Sequence, residues 1–144
     1  MFDFRGKVVL ITGASYGLGE QFAYAFADAG ADLILTARSQ EILETVGAAC
    51  RDKGATVTVV PGDVSVEADV HRVIESGIEA HGHIDVLINN AGIADARGVA
   101  AEQFDTETFN QIISVDLLGA FLYARECGRS MLERGKGSIV NICS

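Results

Sequence analysis

The sequence predicts an α/β protein in which a doubly wound parallel sheet of five strands lies between two layers of helices, four helices in all. Three observations carry this prediction. Short runs rich in Val, Ile and Leu recur along the chain. Stretches with helical spacing separate them. A glycine-rich loop, with Gly13, Gly17 and Gly19, joins the first run to the first helical stretch.

The strand-like runs lie at 7–12 (KVVLIT), 32–37 (DLILTA), 56–60 (TVTVV), 84–88 (IDVLI) and 138–143 (SIVNIC). Near-continuous apolar runs of this length suit strands buried on both faces. Residues 18–29 place Leu18, Phe22, Ala25, Phe26 and Ala29 at helical spacing, and Gly30 stops them. Residues 40–52 do the same with Ile42, Leu43, Val46, Ala49 and Cys50, before Gly54. In 66–80 the stripe is Val66, Val70, Val73, Ile74 and Ile78. The longest stretch, 106–133, carries Phe109, Ile112, Ile113, Leu117, Ala120, Tyr123, Ala124, Cys127 and Met131. Strands that alternate with helices pair in parallel through right-handed crossovers. One proline, Pro61, and the lack of any repeat or low-complexity linker predict a single domain over 1–144.

Composition narrows the function. The 144 residues are 49% hydrophobic and 22% charged, an ordinary globular mixture. A net charge of −9 argues against nucleic acid or an anionic membrane surface as partner. No apolar run is long enough to span a bilayer, and the start, MFDFRGKVVLIT, lacks the pattern of a signal peptide. Cys50, Cys127 and Cys143 are odd in number and show no C-x-x-C spacing, so reduced thiols in the cytoplasm are expected. His71, His81 and His83 have no partner at ligand spacing, and no metal site is expected.

The glycine loop follows a strand and opens a helix. A helix amino terminus presents unpaired N–H groups and a partial positive charge, which suits phosphate. Glycines at 13, 17 and 19 remove side chains that would keep a pyrophosphate from the backbone, and Ser15 adds a hydroxyl donor. The spacing G-x-x-x-G-x-G differs from the G-x-G-x-x-G fingerprint. Nor is it a Walker A loop, because Glu20 and Gln21 follow the last glycine. Taken alone, the loop also fits a βα turn that binds nothing.

Four segments in one order, T-G-A-S-Y-G-L-G (12–19), D-V (63–64), N-N-A-G (89–92) and G-S-I-V-N-I-C-S (137–144), closely resemble the short-chain dehydrogenase/reductase family along residues 6–144. The resemblance implies a Rossmann-type oxidoreductase that passes hydride between a nicotinamide cofactor and a small carbonyl or alcohol substrate. It implies that the 12–19 loop, including Gly13, Ser15, Tyr16, Gly17, Leu18 and Gly19, cradles the pyrophosphate. Asp63 and Val64 would flank the adenine, with the Asp63 carboxylate accepting from its amino group. Asn90, Ala91, Gly92 and Val115 would line the nucleotide, and Asn89 would tie neighbouring strands.

The second strand ends Leu35-Thr36-Ala37-Arg38-Ser39, with no acid to bond a ribose 2′-hydroxyl. Arg38 can pair bidentately with a 2′-phosphate and Ser39 can add a donor, which favours NADP(H) over NAD(H). Tyr16 stands where many NADP-preferring relatives carry Arg or Lys. For catalysis, Ser144 falls on the family's substrate-polarising Ser. Asp116 replaces the Asn of its V-N-L pattern, keeping the main-chain carbonyl of the proton relay and adding a carboxyl. The family's Y-x-x-x-K pair has no match: four residues after Tyr16, Tyr24 and Tyr123 stand Glu20, Asp28 and Cys127. Residues 1–144 are therefore expected to be the amino-terminal, cofactor-binding part of a longer enzyme, inactive alone. The alternative is a nucleotide-binding sensor or scaffold without redox activity. The long fourth helix is apolar on more than one face, which predicts a homodimer or homotetramer.

Overall fold

A computed structural model of the chain describes residues 2–94 and 97–143. The strands are β1 (Val8–Thr12), β2 (Asp32–Thr36), β3 (Val57–Val59), β4 (Val86–Asn89) and β5 (Ser138–Asn141). The helices are α1 (Gly17–Asp28), α2 (Gln40–Asp52), α3 (Glu67–His81), α4 (Thr106–Ile112) and α5 (Ala120–Arg134). The sheet is parallel throughout, in the order β3-β2-β1-β4-β5. Its reversal between β1 and β4 opens a crevice at the carboxyl ends of the strands.

Alternate residues of each strand serve opposite layers. Leu10, Ile34 and Leu87 pack with Val70, Val73, Leu122 and Tyr123 of α3 and α5. Val9, Ile11, Leu33 and Leu35 pack with Ala23, Ala27, Leu43 and Val46 of α1 and α2. Because helices cover both faces of the central strands, β1 is buried at all five positions. Ser138–Asn141 pairs with β4 and is exposed along its length.

The fourth helical stretch departs from expectation. It runs without a break from Thr106 to Arg134, but Ile113–Gly119 between α4 and α5 is a π-helix. Gly119 ends that segment where the helix meets the loop after β3. A Cβ there would lie 2.8 Å from Val64 Cγ2. Apolar residues keep their helical spacing in the sequence across this segment, so hydrophobic spacing does not reveal it. The fourth strand also starts later than its apolar run, which leaves Ile84 and Asp85 as lead-in.

Asp85 organises the amino-terminal end of the sheet. Its carboxylate is buried and accepts from the Val8 N–H (3.0 Å), from Arg134 Nη2 (2.9 Å) and pairs with His83 Nε2 (2.9 Å). Arg134 also donates to the Ile84 carbonyl at 2.9 Å. Burial pushes the Asp85 carboxyl up, but Arg134, the Val8 N–H and His83 together outweigh it and hold it below the usual carboxylate range.

Candidate nucleotide-binding site

The crevice is built outward from Thr12. Its buried hydroxyl accepts from the N–H groups of Asn90 and Ala91, both at 3.0 Å, which pins the turn after β4 against β1. Asn90 completes the tie: its Nδ2 donates to the carbonyls of Thr12 (3.1 Å) and Gly13 (3.2 Å). Asn89 works in the other direction, donating to Asn141 Oδ1 on β5 and to the Ala120 carbonyl, both at 3.0 Å.

The glycines divide into two kinds. A Cβ on Gly13 would stand 2.8 Å from Ala91 Cα, and one on Gly19 would collide with the Gly13 carbonyl oxygen. Both positions are small because protein backbone packs there. Backbone packing thus demands glycine at these two positions beside the clearance expected of them. Gly17 alone has open space where its Cβ would be, and its φ of +58° is a conformation that favours glycine. The α1 amino terminus beside it has no side-chain cap, so its first N–H groups remain available to an anion.

A cleft of about 820 Å³ opens over this terminus. Of the residues singled out by sequence, Gly13, Ser15, Tyr16, Leu18, Arg38, Ser39, Asp63, Val64, Asn90, Ala91, Gly92 and Val115 line it. Gly17 and Gly19 shape the loop without lining the cleft. Asp116 stands beside the cleft on the π segment, and its Oδ1 accepts from the Ile93 N–H at 2.8 Å. Its carboxylate therefore holds the turn after β4. Ser144 lies outside the described residues.

Charge in the cleft is divided. Arg38 is exposed in its wall and forms no ion pair among the described residues. Ser39, the N-cap of α2, makes no side-chain cap bond, which leaves its hydroxyl free to donate. Asp63 Oδ1 accepts from Ser65 N (2.9 Å) and Ser65 Oγ (2.6 Å), while Oδ2 has no partner among the described residues. A cationic group, uncapped helix amides and one spare carboxylate oxygen in a single cleft suit a molecule with phosphates at one part and an amine at another. A nicotinamide–adenine dinucleotide meets that description.

Sequence reasoning missed Ser65, Gln111 and Ser114 in the lining. Ser65 directly follows the D-V pair. Gln111 precedes Val115 by four residues, the spacing that places two helical residues on one face. Extending each motif by one residue or one turn would have found them. Thr12 was quoted within its motif, but its hydroxyl's structural task follows only from the β1–β4 pairing.

Known proteins resemble this chain in sequence and fold. The chain is 39% identical over 141 residues to the 11-beta-hydroxysteroid dehydrogenase-like 4A of Arabidopsis thaliana, covering 97% of this chain and 46% of that protein. Among solved structures, actinorhodin polyketide ketoreductase with NADPH matches at a TM-score of 0.90 and 31% identity, over 96% of this chain and 53% of its own. NAD+-bound xylitol dehydrogenase matches at 0.92 and 31%, over 98% and 54%. The chain thus spans about half the length of these relatives. Among the described residues, no helix is long and apolar enough to cross a membrane. The short chain dehydrogenase family matches residues 7–144, and the chain belongs to it.

Proposed function

We propose that the chain is the cofactor-binding part of a cytoplasmic oxidoreductase that transfers hydride between NADP(H) and a small carbonyl or alcohol substrate. The observation that carries the cofactor choice is Arg38, exposed in the cleft wall at the end of β2 with Ala37 before it and no acid beside it. Arg38 and Ser39 hold the 2′-phosphate. The uncapped amides at the start of α1 and the Ser15 hydroxyl hold the pyrophosphate. Asp63 Oδ2 accepts from the adenine amine. Asn90, Ala91, Gly92 and Val115 form the wall along the nucleotide, with Tyr16 and Leu18 at its mouth. When bound, the nicotinamide supplies or accepts the hydride. On the protein side, Ser144 polarises the substrate oxygen. Asp116 offers its main-chain carbonyl to the proton relay while its carboxylate fixes the adjacent turn.

Burial pushes the Cys127 thiol up to about 12, which makes it a poor nucleophile. Assembly as a homodimer or homotetramer is supported by Phe109, Leu117 and Phe121, which are 51%, 63% and 53% exposed along one rod of helix.

The test is cofactor affinity measured by calorimetry on the full natural chain that carries these residues. The wild type should bind NADPH more tightly than NADH. Arg38→Ala should weaken NADPH by about 30-fold and leave NADH nearly unchanged, the size of a lost charge-assisted pair. A wild type that binds NADH as tightly as NADPH would overturn the NADP(H) assignment.

A further inference from the structure

The loop between β3 and α3 is held from behind by two side chains that do not reach the cleft. Asp69, in the first turn of α3, accepts the Asp63 N–H on Oδ2 at 2.9 Å. Its Oδ1 pairs with Arg72 Nη2, and Arg72 Nη1 donates to the Pro61 carbonyl at 2.8 Å. The backbone is therefore gripped on both sides of Gly62, at Pro61 and at Asp63. The Asp63 N–H, the largest influence, and the Arg72 guanidinium hold the Asp69 carboxyl below its ordinary value against burial, which pushes it up. Ser65 meanwhile fixes the Asp63 side chain by its two bonds to Oδ1.

We propose that Asp69 and Arg72 are positioning residues: their clamp on residues 61–63 aims Asp63 Oδ2 at the amine of the bound adenine. The inference rests on the adenine assignment made above for Asp63. A carboxylate discriminates an amine donor from a carbonyl acceptor only if its oxygen is held at the right place, because one hydrogen bond tolerates little displacement. The ion pair is half exposed, with Arg72 48% and Asp69 28% accessible, so its contribution to overall stability is small. Its work is on the loop.

The test compares NADPH with its deaminated analogue, nicotinamide hypoxanthine dinucleotide phosphate, in which a carbonyl replaces the adenine amine. Binding is measured on the full natural chain. The wild type should prefer NADPH by about tenfold. Asp69→Ala should cut that preference to less than about threefold, Arg72→Met should reduce it in part, and Arg72→Lys should restore it. A purely structural clamp would weaken both nucleotides equally and leave the ratio intact, and that outcome overturns the proposal. If Asp69→Ala does not fold, the exposed Arg72 pair of variants decides by the same ratio. Equal affinity of the wild type for both nucleotides would overturn the adenine assignment of Asp63 itself, and this inference with it. The Arg38 assignment would stand untouched.

Discussion

The two ends of the sheet are built on opposite terms. At the amino-terminal end, the buried Asp85 is matched by the Val8 N–H, His83 and Arg134, and Arg134 also satisfies the Ile84 carbonyl. At the carboxyl-terminal end, Arg38, Asp63 Oδ2 and the first amides of α1 have no partner among the described residues. Helix direction explains part of this. In a parallel α/β sheet the helix amino termini gather at the carboxyl ends of the strands, and the carboxyl termini gather at the other. Arg134 sits in the last turn of α5, where a cation is favoured, and its partner carboxylate closes the circuit. The uncapped start of α1 leaves its partial positive charge without a side-chain partner. The amino-terminal end spends its polar groups on the fold, whereas the carboxyl-terminal end, which also ties Thr12, Asn90 and Asp116 into the fold, leaves some of its groups open.

The largest effect should come from a residue that breaks this division. Gly19 belongs to the open end yet serves packing, since its Cβ would meet the Gly13 carbonyl and lie 2.6 Å from Asn90 Nδ2. Gly19→Val should therefore cost about 3 kcal/mol, because backbone atoms relax less than side chains. Differential scanning fluorimetry of the full natural chain should show a melting temperature lower by about 10 °C, whether or not NADPH is present. A variant with wild-type melting and lost NADPH affinity would return Gly19 to the open end.

Much of this organisation was legible in sequence. Five apolar runs and the stretches between them gave the alternation that forces a parallel sheet, and the glycine loop with Asp63, Asn90 and Val115 marked the cleft wall. What stayed hidden depends on contacts between distant segments. The Thr12 hydroxyl, the Asn90 amide turned toward β1, and the clash that keeps residue 19 a glycine all follow from β1 lying beside β4. The Asp85–Arg134 pair is separated by 49 positions and carries no local pattern. The π segment adds a residue per turn inside a stripe that remains apolar.

An intermediate effect is expected at the closed end. Arg134→Met leaves a buried carboxylate short of one charged partner, and stability should fall by about 2 kcal/mol. Cofactor affinity should be unchanged, because nothing at that end faces the cleft. The loss should also depend on pH. The Asp85 carboxyl is depressed in the folded protein, so its contribution is present above the ordinary unfolded value of about 4 and fades as pH falls through the lower folded value. Urea midpoints of wild type and variant should therefore differ fully at pH 6 and converge toward pH 3. A gap that stays constant across this range would mean that Arg134 acts through packing of its stem rather than through Asp85.

The smallest stability effect, and the sharpest test of the division, is expected at Gly17. Beyond its own chain neighbours and helix backbone, no atom of the described residues lies within 4 Å of the place a Cβ would take, so Gly17→Ala meets no steric wall. Its cost is the left-handed backbone at φ +58°, about 1 kcal/mol for a residue with a Cβ. Stability should drop by that amount, far less than for Gly19→Val. Cofactor affinity should fall by more than that strain alone. Gly17 opens α1, and on the proposed binding mode a methyl group added there narrows the approach of a pyrophosphate to the first helix amides. NADPH affinity by calorimetry should fall about tenfold, more than the stability cost accounts for, since the methyl group would crowd the ligand itself as well as strain the backbone. If affinity holds while the melting temperature drops by the strain alone, Gly17 is a conformational glycine only. The three glycines of the loop would then all serve the fold, and binding at the open end would rest on Arg38, Ser15 and Asp63.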